Sequence, residues 1–279
     1  MRRTLLCLGA AAAVAAPTAA SAQASSSPHA LSANVALVSD YRFRGIDQTF
    51  GKPALQAGID YAHASGLYLG NWNSNVSEGA GFPAANLEMD FYGGWKKSWG
   101  DWGLDVGFIY YVYPGSDASA ASGTQFTNPR TGATHTGRVD NKELYLGASW
   151  KWLSLKYAHA VDDYFSLPGT KGSNYLDLTA NVELGSGWTL VAHLGRLRLK
   201  GWHDGSDATN GSYTDWKLGL TKDIGGWAFG VAYVGTNAKG SCDPANPGFY
   251  CFPNRLADPG AKTKDAGRST LVLSVSKTF

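Results

Sequence analysis

The chain has 279 residues, with 24 Lys and Arg against 22 Asp and Glu and a formal net charge of +2. That balance leaves no electrostatic footprint for nucleic acid and no strongly charged face for a macromolecular partner. Glycine (35), tryptophan (10) and tyrosine (14) are abundant, yet no apolar run beyond the N-terminus approaches the roughly 20 residues of a spanning helix.

The first residues read MRRTLLCLGAAAAVAAPTAASAQA. Arg2 and Arg3 precede an apolar run over residues 5–16, and Ala20-Ser21-Ala22 follows it. This is the layout of a secretory signal, so residues 1–22 are expected to be removed and residues 23–279 to form one domain. Cys7 goes with the leader. Cys242 and Cys251 are then one even pair in an exported chain, which predicts a disulfide closing a small loop.

Twelve segments of period-two alternation follow. Segment 33–43 sets Val35, Leu37, Tyr41 and Phe43 against Asn34, Asp40 and Arg42, and 54–62 sets Leu55, Ile59 and Tyr61 against Gln56 and Asp60. Segment 66–76 has mixed parity, because Leu67 and Leu69 alternate with Tyr68 and Trp72. Segment 87–96 places Phe91 opposite Glu88 and Asp90, and 102–113 places Val106 and Phe108 opposite Asp105. Segments 142–151, 153–161 and 175–184 carry Glu143, Lys156, Asp177 and Glu183 on their polar faces. Segments 188–197, 213–223 and 227–235 continue with His193, Asp215 and Lys217. The last, 268–279, alternates Leu271, Leu273 and Val275 with Val272, Ser274 and Ser276 and ends on Phe279. Lys277 departs from the apolar face there, one step from the end, where a long side chain snorkels.

The connections sort by length. Residues 63–65, 97–101, 152, 185–187 and 224–226 are short, and those between (44–53, 77–86, 114–141, 162–174, 200–212 and 236–267) are longer. Alternate short turns and long loops predict an all-β, antiparallel, up-and-down transmembrane β-barrel of twelve strands, with periplasmic turns and extracellular loops. Trp99, Trp102, Trp150, Trp152, Trp188 and Trp227 lie at or beside the short turns, as an aromatic belt at one membrane interface requires.

The stretch Val38-Ser39-Asp40-Tyr41-Arg42-Phe43-Arg44-Gly45-Ile46, with Gln48, Thr49, Gly51 and Pro53-Ala54-Leu55-Gln56-Ala57-Gly58 after it, resembles the TorF-type porins of gram-negative outer membranes. Glu88-Met89-Asp90-Phe91-Tyr92-Gly93-Gly94 is similar to that family's second block. The resemblance implies an outer-membrane barrel acting as a porin, and it brings no catalytic residues.

Inward parity makes Arg42, Arg44, Asp60, Glu88, Asp90, Asp105, Glu143, Asp177, Glu183 and Lys217 the pore-lining candidates. Charges facing lipid are costly, whereas a wet lumen tolerates them and lets opposite signs pair across strands. Two readings follow. Arg42 and Arg44 face an acidic ladder of Asp60, Glu88 and Asp90 across a narrow channel for small hydrophilic solutes or ions, or the same groups brace a plugged barrel that acts as a surface receptor through its loops. No Gly-x-Ser-x-Gly, H-E-x-x-H or phosphate loop is present, so neither enzyme nor cofactor is expected, and two cysteines make a poor metal site. The expected partners are outer-membrane lipid and the passing solute, with no nucleic acid, and a homo-oligomer is compatible with the barrel.

Overall fold

The computed structural model describes residues 27–121, 125–256, 258 and 260–279. The signal segment lies outside the described residues. Twelve antiparallel strands form a closed barrel: β1 (His29–Val38), β2 (Ala54–His63), β3 (Leu67–Asn75), β4 (Leu87–Trp99), β5 (Trp102–Val112), β6 (Asp140–Trp150), β7 (Leu153–Ala160), β8 (Asn174–Gly185), β9 (Trp188–Arg198), β10 (Tyr213–Ile224), β11 (Trp227–Thr236) and β12 (Thr270–Thr278). Each strand pairs with its neighbours in sequence, and β1 closes on β12 with Asn34 opposite Thr278 and Leu37 opposite Val275. Closure satisfies every strand edge, which a sheet needs where no water can reach it.

Alternation decides what each face carries. Leu218 and Leu271 are 59% and 63% exposed on the outside, alongside Leu55, Phe108, Leu146, Leu178 and Val231. An apolar band that runs round a whole barrel is a liability in water and a requirement in lipid. In β3 the mixed parity resolves with Leu67 and Leu69 outward and Tyr68 and Trp72 inward.

The short turns contain two or three residues. Gly225 and Gly226 both take positive φ (63° and 82°), as a two-residue hairpin turn that follows the strand twist demands. All six tryptophans of the expected belt are exposed at this end. Lysines reach over four of the rings: Lys97 over Trp99, Lys151 over Trp150, Lys222 over Trp188 and Lys277 over Trp227. Lys277, the departure from the apolar face, holds its ammonium 5.0 Å from the Trp227 ring centre.

The long connections gather at the other end as loops 1 to 6 (residues 39–53, 76–86, 113–139, 161–173, 199–212 and 237–269). Cys242 and Cys251 form the expected disulfide in loop 6 across nine residues. By chain entropy such a closure is worth about 2–3 kcal/mol, all of it local to the loop. Replacing both cysteines with serine is therefore expected to speed tryptic cutting of loop 6, at Lys239 or Arg255, while the heat-dependent gel shift of the folded barrel stays unchanged. An equal cutting rate would show that the bridge does not order the loop.

One expectation fails in β1. The strand starts at His29 and ends at Val38, so Tyr41, Arg42 and Phe43 are not on the barrel wall. The chain leaves the wall at Ser39, and Arg42–Phe43 pairs with Ile46–Asp47 in a hairpin that folds inward. Tyr41 and Phe43, expected to face lipid, are 1% and 7% exposed inside the molecule.

Candidate functional site

Strand parity lines the interior with charge. Near the short turns stand Asp60 on β2, Asp105 on β5 and Lys156 on β7, Asp177, His193 and Lys217 come next, and Glu88, Asp90, Glu143 and Asp215 lie towards the long loops. Asp60, Lys156, Asp177 and Lys217 keep partial exposure, whereas the four acids nearest the loops are buried. Glu183 sits exposed at the short-turn rim. Asp105, near the short turns, is buried as well.

Tyrosines tie the lining together. Tyr92 Oη donates to Asp60 at 2.6 Å, Tyr68 Oη donates to Asp105 at 2.7 Å and also contacts the Tyr145 hydroxyl, and Lys156 Nζ lies 4.3 Å from the Tyr145 ring centre. On the facing strands His193 bridges two carboxylates, with Nε2 2.9 Å from Asp215 and Nδ1 3.3 Å from Asp177, while Tyr175 Oη donates to Asp215.

The hairpin of loop 1 lies across the interior. At its tip Arg44 and Gly45 both take positive φ (49° and 81°), and a Cβ at Gly45 would stand 2.5 Å from Thr236 Cγ2 and 2.8 Å from Asp215 Cβ. Only glycine lets the tip press so closely on β10 and β11. Arg44 then reaches across to β6. Its Nη1 and Nη2 donate to the two oxygens of Glu143 at 2.9 and 2.7 Å, Nη1 also donates to Tyr164 Oη, and the guanidinium lies 4.3 Å from the Tyr175 ring centre. The two side chains are 7% and 2% exposed. The ring order places β6 nearly opposite β11, so a single bidentate pair holds the tip from wall to wall like a bolt.

Arg42 does different work. It donates to Asp40 at 2.6 Å and to the carbonyls of Ala266 and Arg268 at 3.0 Å each, which fastens the root of loop 1 to loop 6. Asp47 accepts from Lys264 Nζ of loop 6 at 2.5 Å. The expected juxtaposition of Arg42 and Arg44 with Asp60, Glu88 and Asp90 is therefore corrected. Arg42 is spent on the loop root and Arg44 on Glu143, while Glu88 accepts from Tyr113 at 2.8 Å and leaves Oε2 buried without a hydrogen bond, as Asp90 does with Oδ1.

The loop root is expected to respond to pH. Burial lifts the Asp40 carboxyl from its ordinary 3.8 to about 6, with the Arg42 guanidinium pulling the other way. Burial also opposes the charge on Asp47, but Lys264 and Arg42 outweigh it and hold that group below the usual range. Asp40 thus binds its proton more tightly in the closed arrangement than in a released loop. Its protonation favours closure as pH falls through about 6 towards the free value of 3.8, and the Asp47 contribution, present above its own free value, stays in place over that window. Protection of loop 1 from proteolysis is expected to rise over this range, and Asp40→Asn to flatten the profile. A profile unchanged by Asp40→Asn would assign the pH response elsewhere.

The inward hairpin is what the sequence alone did not reveal. The one available signal was Arg44-Gly45 between Phe43 and Ile46, a turn pair inside an alternating run.

The profile of a family described as "Bacterial protein of unknown function (Gcw_chp)" matches residues 22–279. No curated protein matches the chain in sequence. Among solved structures, the NanC porin is similar over 90% of this chain and 99% of its own, at 9% identity and a TM-score of 0.50. The KdgM porin in complex with disordered oligogalacturonate is similar over 89% and 98%, at 9% identity and a TM-score of 0.48. At such identity the likeness to NanC is one of fold.

Proposed function

The chain belongs to Gcw_chp, a bacterial family of unknown function, and from that premise we propose that it is an outer-membrane porin: a passive diffusion channel for small hydrophilic solutes and ions whose first loop is its gate. The observation that carries this reading is the bolt. A barrel wall lined with charges of both signs is crossed at one level, and one ion pair, Arg44 with Glu143, holds the crossing segment. The apolar outer band and the tryptophan rim support the outer membrane, with the long loops outside the cell and residues 1–22 removed on export. The blocks at residues 38–58 and 88–94 support a relation to TorF-type porins across the chain.

Flux would run down a concentration gradient with no cofactor. Solutes would be selected by size and by the field of Asp60, Glu88, Asp90, Asp105, Asp177 and Lys217. Once Arg44 swings out, acids outnumber bases along the described inner face, so the open path is expected to prefer cations. In an Arg44→Ala background, converting Asp60, Glu88 and Asp90 to their amides should move the reversal potential in a salt gradient towards zero. An unmoved potential would leave the three as bracing groups only.

The closure itself favours a second reading, a plugged barrel that acts as a surface receptor through its loops. Shortening loop 3 separates the two, since a channel keeps its ion preference whereas a receptor loses its partner.

A further inference from the structure

On the long-loop side of the hairpin lies a cavity of about 410 Å³. All six loops build its wall, with Phe43 from loop 1, Phe82 from loop 2, Phe126 from loop 3, Phe165 from loop 4, Trp202 from loop 5 and Phe249 from loop 6. No Asp, Glu, Lys, Arg or His is found among the described residues that line it, although the lumen on the other side of the hairpin is rich in them. A charged guest would lose its water there and meet no counter-charge.

The rings are held by one another. Phe82 stacks on Tyr113 with centres 3.7 Å apart, Phe43 meets Phe165 edge-on at 5.7 Å, and Trp202 meets Phe249 edge-on at 5.7 Å. Rings fixed in this way leave a preformed space. Gln125, a lining residue, has its side-chain oxygen Oε1 closed off from the open space and without a hydrogen-bond partner. A buried acceptor left unpaired is costly, so a guest that donates to it is favoured over one that does not. An apolar cavity of about 150 Å³ takes one benzene ring. The chamber here therefore has room for two or three.

We infer that the chamber is a binding site for a neutral compound of two or three rings carrying one hydroxyl or amine donor, which Gln125 Oε1 accepts once its side chain turns towards the guest, while the rings lie among Phe82, Phe165 and Trp202. Binding at this site does not depend on whether the lumen conducts.

The test is titration calorimetry on the full-length folded barrel in lipid nanodiscs with three probes that share one ring system. 2-Naphthol offers rings and a donor, naphthalene offers rings alone, and naphthalene-2-sulfonate adds a charge. Saturable one-to-one binding of 2-naphthol is expected, with the sulfonate at least tenfold weaker. Gln125→Leu should weaken 2-naphthol by about fivefold, the worth of one hydrogen bond, and leave naphthalene unchanged. Ala208→Trp, which places an indole in the chamber, should abolish binding of both neutral probes. Equal binding of the sulfonate, or 2-naphthol uptake that Ala208→Trp leaves intact as simple partition into lipid would, overturns the site. A Gln125→Leu loss shared by naphthalene overturns the assignment of the donor.

Discussion

Replacing Arg44 with alanine is expected to shift the closed-to-open balance of loop 1 by roughly 10² to 10³ and to raise solute uptake into proteoliposomes accordingly. Removing one partner of a buried ion pair costs about 3–5 kcal/mol, because the other charge is left uncompensated. Here that charge is Glu143, 2% exposed beneath the hairpin tip. It regains water only if the tip withdraws, so the cost falls on the closed state alone. Each 1.4 kcal/mol is about a tenfold change in a ratio of states. Glu143→Gln should act in the same direction, and the double variant should exceed neither single by much, since both remove one interaction. Gly45→Val offers an independent route to the same end, because its Cβ would collide with Thr236 and Asp215 and prise the tip from the wall. Folded Arg44→Ala protein with wild-type uptake would mean that loop 1 does not limit passage.

The second large effect concerns the solvent outside the barrel. Leu218→Arg is expected to destabilise the barrel by about 2–4 kcal/mol when it is folded into lipid vesicles and followed by denaturant titration, the cost of a charge facing the middle of a bilayer. Leu218 is 59% exposed on the outside of β10, paired with Ala192 on β9 and Tyr233 on β11. In a water-soluble barrel, an exposed leucine replaced by arginine would change stability by only about 0.5 kcal/mol in either direction. The contrast is sharpened by Lys217, a natural charge one residue away that faces the lumen. A Leu218→Arg barrel as stable as wild type would remove the lipid from the account.

These two results bear on different parts of what was legible in the sequence. Outward and inward faces could be read wherever the outside is uniformly apolar and the inside uniformly polar, as with Leu144 and Leu146 against Glu143 and Tyr145, or Leu176 and Leu178 against Asp177. The Cys242–Cys251 bridge and the tryptophan rim were legible for a similar reason, since each depends on residue type and place along the chain alone. Parity failed where the inside is itself apolar. Tyr41 and Phe43 keep the parity of Leu37 across Ser39, yet they turn inward to an aromatic interior that serves them as lipid serves Leu37. The ring partners of Phe43, Tyr111 and Phe165, come from β5 and loop 4, a closeness in space that no local pattern encodes. The pairing of Arg44 with Glu143 was hidden in the same way, because it joins residues 99 positions apart through a hairpin only a few residues long. In β3 the alternation offered Tyr68 and Trp72 to either face, and packing made the choice, with Trp72 meeting Tyr41 at 5.5 Å.

The claim that this barrel is a pore closed by its first loop is tested most directly by current across a planar lipid bilayer, recorded from purified wild-type protein and from Arg44→Ala under the same salt gradient. Sparse discrete steps from the wild type, and long-lived steps of cation preference from the variant, are the expected result. Silence from Arg44→Ala protein that is demonstrably folded and inserted would contradict it and make the barrel a closed scaffold for its loops.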